Sequence, residues 1–117
     1  MKLSEADITK QIRDVLNICH IFHWKQWQGP MSQPKGVSDI LGIHKGLMMA
    51  IEVKKEGWEP PNPGTKAYNH FVNQRDFLHQ VQDNGGIGFF ANSVDRVIEE
   101  LGLQWRLTPL FGSRHAR

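Results

Sequence analysis

The sequence predicts an α/β fold, a small mixed central sheet flanked by helices. Three observations carry that expectation. Apolar residues recur at helical spacing in three stretches of the chain. Shorter runs rich in β-branched and aromatic residues lie between them, bounded by glycine and proline. The resulting order is helix, three strands, helix, strand, helix, which suits a sheet with helices on its faces. At 117 residues the chain is long enough for one domain with a modest core and too short for two.

Ser4 to about His20 reads as the first helix. Ser4 is its cap, Glu5 and Asp7 suit the positive N-terminal end, and Ile8, Ile12, Val15, Leu16 and Cys19 form its apolar stripe. Glu5 precedes Ile8 by three positions, so it stands in line with that stripe, either at the solvated first turn or pointing into a site. Ile21 to Trp27 is a strand, broken by Gln28-Gly29-Pro30, and Ser32, Gln33, Pro34, Lys35 and Gly36 form a loop. Val37 to Ile43 is a second strand, apolar apart from Ser38 and Asp39. His44-Lys45-Gly46 turns the chain into a third, Leu47 to Lys55. Strand alternation sends Leu47, Met49, Ile51 and Val53 to one face and Met48, Ala50, Glu52 and Lys54 to the other.

Residues 56–68 hold three prolines and two glycines and read as a long, flexible loop. Asn69 to Asn84 is a second helix, closed by Gly85-Gly86, with Phe71, Gln74, Leu78 and Val81 facing inward and Phe77 beside them. Ile87 to Ala91 is a fourth strand. Ser93 caps a last helix carrying Val94, Val97, Ile98 and Leu101, and residues 102–117 form a tail with no assigned element.

Composition narrows the setting. No apolar stretch approaches the roughly 20 residues of a membrane span, and the early acidic residues are unlike a signal peptide. The single Cys19, read as a core residue on its helix, excludes an intrachain disulfide and fits a cytoplasmic protein. A net charge of +2 with scattered basic residues is compatible with nucleic-acid binding without demanding it.

The chemistry concentrates on Asp39 and the triplet Glu52-Val53-Lys54. Hydrolysis of a phosphodiester needs an activated water, neutralisation of charge on the phosphate, and help for the departing oxygen. Divalent metals supply much of this, and hard cations such as Mg2+ or Mn2+ prefer carboxylate, carbonyl and water ligands. Asp39 and Glu52 on neighbouring strands are placed to share an ion, with the Val53 carbonyl as a further ligand. Lys54 follows on the same face about 7 Å along the strand, where an ammonium can orient water or stabilise developing charge. An E-x-K triplet alone also marks an ordinary solvated strand face. Here it ends an apolar run, where a carboxylate needs a partner. Gln74, in an otherwise apolar helical stripe, needs a partner too.

Lys35-Gly36-Val37-Ser38-Asp39, Ile51-Glu52-Val53-Lys54 and Gln74 with Leu78 four positions on resemble the VRR-NUC family of the PD-(D/E)xK nuclease superfamily. Its members carry a helical glutamate, a G-x-x-D strand, an E-x-K strand and a Q-x-x-x-L helix in that order, slots filled here by Glu5, Gly36–Asp39, Glu52–Lys54 and Gln74–Leu78. The resemblance covers about residues 4 to 91 and implies a restriction-endonuclease-like core. It also implies catalytic Asp39, Glu52, Lys54 and Gln74, and a Mg2+ or Mn2+ held by Glu5, Asp39, Glu52 and the Val53 carbonyl. Short stand-alone members, typical of bacteria and phage, resemble homodimeric Holliday-junction resolvases. The expectation is therefore a metal-dependent endonuclease of branched DNA. The rivals are a nuclease of ordinary duplex or single strands and a non-catalytic DNA-binding module.

For DNA contact the sequence offers Trp58, Lys66 and Tyr68 in the long loop, with Lys35, Lys55 and Arg75 reaching phosphates. Trp58 and Tyr68 serve equally to fold that loop back onto the domain. Trp24 and Trp27 read as core or as dimer surface. The six histidines form no zinc or His-Asn-His pattern, and neither a phosphate-binding P-loop nor a G-x-S-x-G elbow is present.

Overall fold

The computed structural model describes residues 1–27, 29, 34–105 and 107. The expected Gln28–Pro30 break, the loop residues Ser32 and Gln33, and the tail beyond Leu107 lie wholly or largely outside these described residues. Seven elements follow in the predicted order: α1 (Glu5–Ile18), β1 (His23–Lys25), β2 (Ile40–His44), β3 (Leu47–Val53), α2 (Lys66–Asp83), β4 (Ile87–Ala91) and α3 (Val94–Leu101). The four strands form one mixed sheet in the order β1-β2-β3-β4. The first three run as an antiparallel meander, and β4 joins β3 in parallel after α2 has crossed over.

Local chemistry accounts for the elements. Ser4 caps α1 reciprocally: its hydroxyl accepts from the Asp7 N–H, and the Asp7 carboxylate accepts from the Ser4 N–H. Lys45 and Gly46, both at positive φ, make the two-residue turn between β2 and β3. Thr65 and Ser93 cap α2 and α3 with their hydroxyls.

Helices α1 and α3 cover one sheet face, where Ile8, Ile12 and Leu16 meet Met49, Ile51, Val53, Phe89, Ala91 and Val97. Helix α2 covers the other, with Leu78 against Val37, Leu41 and Ala50. The predicted alternation along β3 is therefore correct, and it leaves Glu52 on the α2 side. Because α2 lies over β3 and β4, the β1–β2 part of that face is uncovered. Trp24, Ile43 and Met48 are exposed there, as is Trp27 beyond β1, so the two tryptophans are not core.

Several boundaries differ from the sequence reading: α1 ends at Ile18, and β3 ends at Val53, so Lys54 lies just past the strand. β1 is only three residues long. β2 begins at Ile40, so Val37 to Asp39 approach the sheet as irregular chain and Asp39 stands just before the strand. Helix α2 begins at Lys66 because Thr65 provides a cap, which takes Lys66 and Tyr68 out of the loop.

Gly36 sets the approach of that irregular segment. Its φ is +74°, and a Cβ there would lie 2.2 Å from the Asn73 carbonyl oxygen and 2.7 Å from the Gln74 nitrogen. The chain thus passes directly against the backbone of α2 immediately before reaching Asp39. Gly46 has a similar φ but open space around it. We predict that Gly36→Ala costs about 2 kcal/mol or more, from left-handed strain plus overlap, and Gly46→Ala only about 1 kcal/mol. Urea unfolding midpoints of the two variants check this, and equal midpoints would contradict the close approach.

Candidate active site

Strand register brings the acidic residues together. Ile40 pairs with Ile51, so one step beyond, Asp39 comes level with Glu52. Asp39 Oδ2 accepts the Val53 N–H at 2.8 Å, completing the sheet edge where β2 has not yet begun. In an extended strand the N–H and C=O of one residue leave on the same side, so the Val53 carbonyl also opens toward Asp39.

Helix α2 supplies the polar partner that the apolar stripe anticipated. Gln74, buried at 7% exposure, donates from Nε2 to Glu52 Oε2 at 2.9 Å. Its Oε1 accepts from Lys54 Nζ at 2.8 Å. One amide thus spans the carboxylate and the ammonium, whose own separation is 3.8 Å. His70, one turn earlier on α2, stands 3.2 Å from Gln74 Nε2 through its Nε2 and helps to orient the amide. The Lys54 ammonium also lies over the Trp58 ring, 5.2 Å from its centre.

Trp58 belongs to an aromatic cluster. It stacks on Phe90 at 5.3 Å and meets Phe71 at 5.9 Å, and Tyr68 packs on Phe71 at 5.9 Å. These rings fold the chain after β3 onto α2 and β4, the packing role that the sequence left open for Trp58 and Tyr68.

Glu52 is the electrostatic centre. It is 3% exposed, and its Oε1 is buried without a hydrogen-bond partner. Burial, then the Asp39 charge, push its carboxyl from the ordinary 4.5 up to about 9; Lys54 offsets part of this. A proton on Glu52 can be donated toward Asp39, which relieves the contact between two carboxyls. Two carboxyls forced together make a hard-oxygen donor set that a divalent cation would relieve.

Asp39 and Glu5 line an open cleft of about 520 Å³ together with Ala6, Thr9, Lys10, Arg13 and Lys25. Glu5 is exposed in the first turn of α1 and acts on Glu52 only through its charge. Among the described residues no three His, Cys, Asp or Glu side chains are gathered as a metal site; Glu5 shares the cleft with Asp39. The groups that fit a cation are Asp39, Glu52 and the Val53 carbonyl, all hard oxygen donors, with water for the remaining positions.

The sequence-predicted DNA contacts are dispersed. Lys35, Lys55 and Lys66 are exposed, Lys35 next to Gly36 and Lys66 at the start of α2. Arg75 leans over Phe71 and lines a separate cleft of about 250 Å³ between α2 and α3, with His79, Gln82 and Arg96.

No family model, curated protein or solved structure matches this chain. The geometry of the site is therefore the basis for its reading.

Four residues at or beside the site had no role assigned from sequence: His70, and Lys10, Arg13 and Lys25 among the scattered basic residues. For His70 the signal was its position four residues before Gln74 on one helix face. For Lys10, Arg13 and Lys25 it was the shared charge of two segments that only the fold brings together.

A pH dependence follows from Glu52. An unfolded glutamate loses its proton near 4.5, whereas folded Glu52 holds it up to about 9. The folded state binds the extra proton between these values, so the stabilisation is complete below the lower one and lost as pH rises through the upper. Each tenfold weakening of the acid corresponds to about 1.4 kcal/mol. The metal-free protein should melt at lower temperature at about pH 9 than at about pH 6, and Glu52→Gln should flatten that fall. Mg2+ or Mn2+ should raise the melting temperature most at the alkaline end, where the carboxyl need not give up a proton. Equal slopes for wild type and Glu52→Gln in differential scanning calorimetry would contradict this.

Proposed function

We propose that this protein is a divalent-metal-dependent endonuclease with a PD-(D/E)xK-type core, acting on branched DNA such as four-way junctions. The observation that carries the reading is the buried Glu52 carboxyl set against Asp39, with Lys54 3.8 Å away and Gln74 bonded to both Glu52 and Lys54. A merely structural buried carboxyl would be expected to have both oxygens satisfied. This one receives a hydrogen bond from Gln74 alone and otherwise faces a second carboxyl, close to a cleft lined by Lys10, Arg13 and Lys25.

Asp39, Glu52 and the Val53 carbonyl would hold Mg2+ or Mn2+, which when bound neutralises phosphate charge and makes water a better nucleophile. Lys54 uses one of its three N–H groups on Gln74, leaving two for a phosphate oxygen or the attacking water. Gln74 holds the ammonium and carboxylate in fixed relation, so little reorganisation is needed as negative charge builds on the phosphate. The Trp58 ring lies 5.2 Å from the ammonium and adds a cation–π contact that helps to hold it in place.

The uncovered apolar face around Trp24, Ile43 and Met48 supports a second copy of the chain as partner. A homodimer would set two such sites at a fixed distance, as paired incision of a symmetric junction requires.

The test is incubation of the full chain with a synthetic four-way junction and with matched linear duplex, each with Mg2+, Mn2+ or a chelator. Metal-dependent cutting that prefers the junction is expected. Asp39→Ala and Lys54→Ala should each lower the rate by about a hundredfold or more, the usual cost of losing a preorganised charge. Equal cutting of both DNAs would leave the nuclease and remove the junction preference. Binding without any metal-dependent cutting would instead favour the non-catalytic module.

A further inference from the structure

The cleft beside the carboxylates has a wall that the reaction itself does not use. Glu5, Thr9 and Arg13 recur every four residues and so share one face of α1, and all three line the cleft. Lys25, at the end of β1, faces them, and Lys10 stands beside them. We propose that this α1–β1 wall is a binding subsite for a backbone phosphate of the nucleic-acid strand, other than the one at the bond to be cut. Arg13 is the gripping group. The proposal rests on the nuclease reading for its substrate class, while its residues are independent of the metal and of Lys54.

Arg13 is built for such a role. It is half-buried, and its Nε donates to His23 Nε2 through a long bond of 3.4 Å. His23 Nδ1 in turn lies 2.8 Å from the Ile21 carbonyl, which fixes the ring with its proton on Nδ1 and leaves Nε2 as the acceptor. The guanidinium is thus held at its inner nitrogen, with both outer nitrogens left for a ligand. Arg75 and Arg96 each lie against a carboxylate, Asp76 and Glu100. None of the ion pairs among the described residues involves Arg13, although Glu5 and Asp39 line the same cleft.

An anchored guanidinium with a free fork matches two oxygens of a phosphodiester, a match a lysine cannot reproduce. Lys10 is engaged by Asp14 at 2.8 Å, so it adds field more than contact. Arg13 lies eight residues from Glu5, about 12 Å along the helix at 1.5 Å per residue. Phosphates of one B-form strand advance about 3.4 Å each. The gripped phosphate is therefore a different one from that at the acidic pair. Such a contact orients the strand across Asp39 and Glu52 and offsets the repulsion a polyanion meets from two carboxylates.

The experiment measures binding of fluorescein-labelled four-way junction and duplex by anisotropy over a series of KCl concentrations. It uses the full chain carrying Glu52→Gln, which prevents cutting and mimics the protonated carboxyl. Adding Arg13→Ala should weaken binding about tenfold and make the slope of log affinity against log salt shallower by about one. Arg13→Lys should restore the slope and only part of the affinity. It also serves as the decisive variant if Arg13→Ala melts differently from its parent. His23→Ala, which keeps the charge and loses the anchor, should weaken binding while leaving the slope unchanged. Unchanged affinity and slope for a folded Arg13→Ala would overturn the subsite. The two readings fail separately. Loss of the Arg13-dependent slope in a chain that never cuts DNA would sink the nuclease and keep the subsite. Metal-dependent cutting with binding indifferent to Arg13 would do the reverse.

Discussion

A carboxyl buried against another carboxyl is the constraint from which the rest of this structure follows. Glu52 ends an apolar strand between two packed layers, and burial of its charge is costly unless something compensates. Gln74 supplies one hydrogen bond, Lys54 supplies charge at 3.8 Å, and the remaining oxygen has no partner. The fold keeps the pair together through features that have no other evident purpose. Gly36 lets the chain graze α2 before Asp39, and the Asp39 carboxylate stands in for the missing strand partner of Val53. Two acids face one another at a local cost in stability, and the proposed cation site rests on that arrangement.

The sequence made the inner part of this arrangement legible. Period-two alternation along residues 47–53 assigned faces correctly because β3 is central and both of its faces are packed. Gln74 stood out because an amide in a buried helical stripe must bond to something, and that something is Glu52 and Lys54. The Ser4 and Ser93 caps and the span of β4 were equally plain, since each depends on neighbouring residues alone.

What the sequence hid depends on contacts between elements. Asp39 looks like a strand residue by its neighbours, yet its carboxylate replaces a strand bond because the close passage against α2 delays β2. Trp58 and Tyr68 read equally as base-stacking aromatics and as rings that fold the loop back. Phe71 and Phe90, distant in sequence, gather them into one stack. Arg13 and His23 belong to different elements, and only the return of β1 along α1 makes a held guanidinium of them. Trp24 reads as core or as dimer surface by composition, and only the fold shows it exposed where α2 does not extend. Charge distribution is similarly opaque: a net +2 conceals a cleft that gathers Lys10, Arg13 and Lys25 around Glu5 and Asp39.

The central claim is that Asp39 and Glu52 form a divalent-cation site, and calorimetric titration of the metal-free protein with Mn2+ tests it most directly. The account predicts one Mn2+ per chain at neutral pH. Because Glu52 holds its proton there, binding should release a proton, visible as a measured enthalpy that changes with the ionisation enthalpy of the buffer. Glu52→Gln should bind far more weakly and lose the proton release, and Asp39→Ala should also weaken binding. Absence of Mn2+ binding to the wild type, or binding unaffected by both substitutions, would contradict the account.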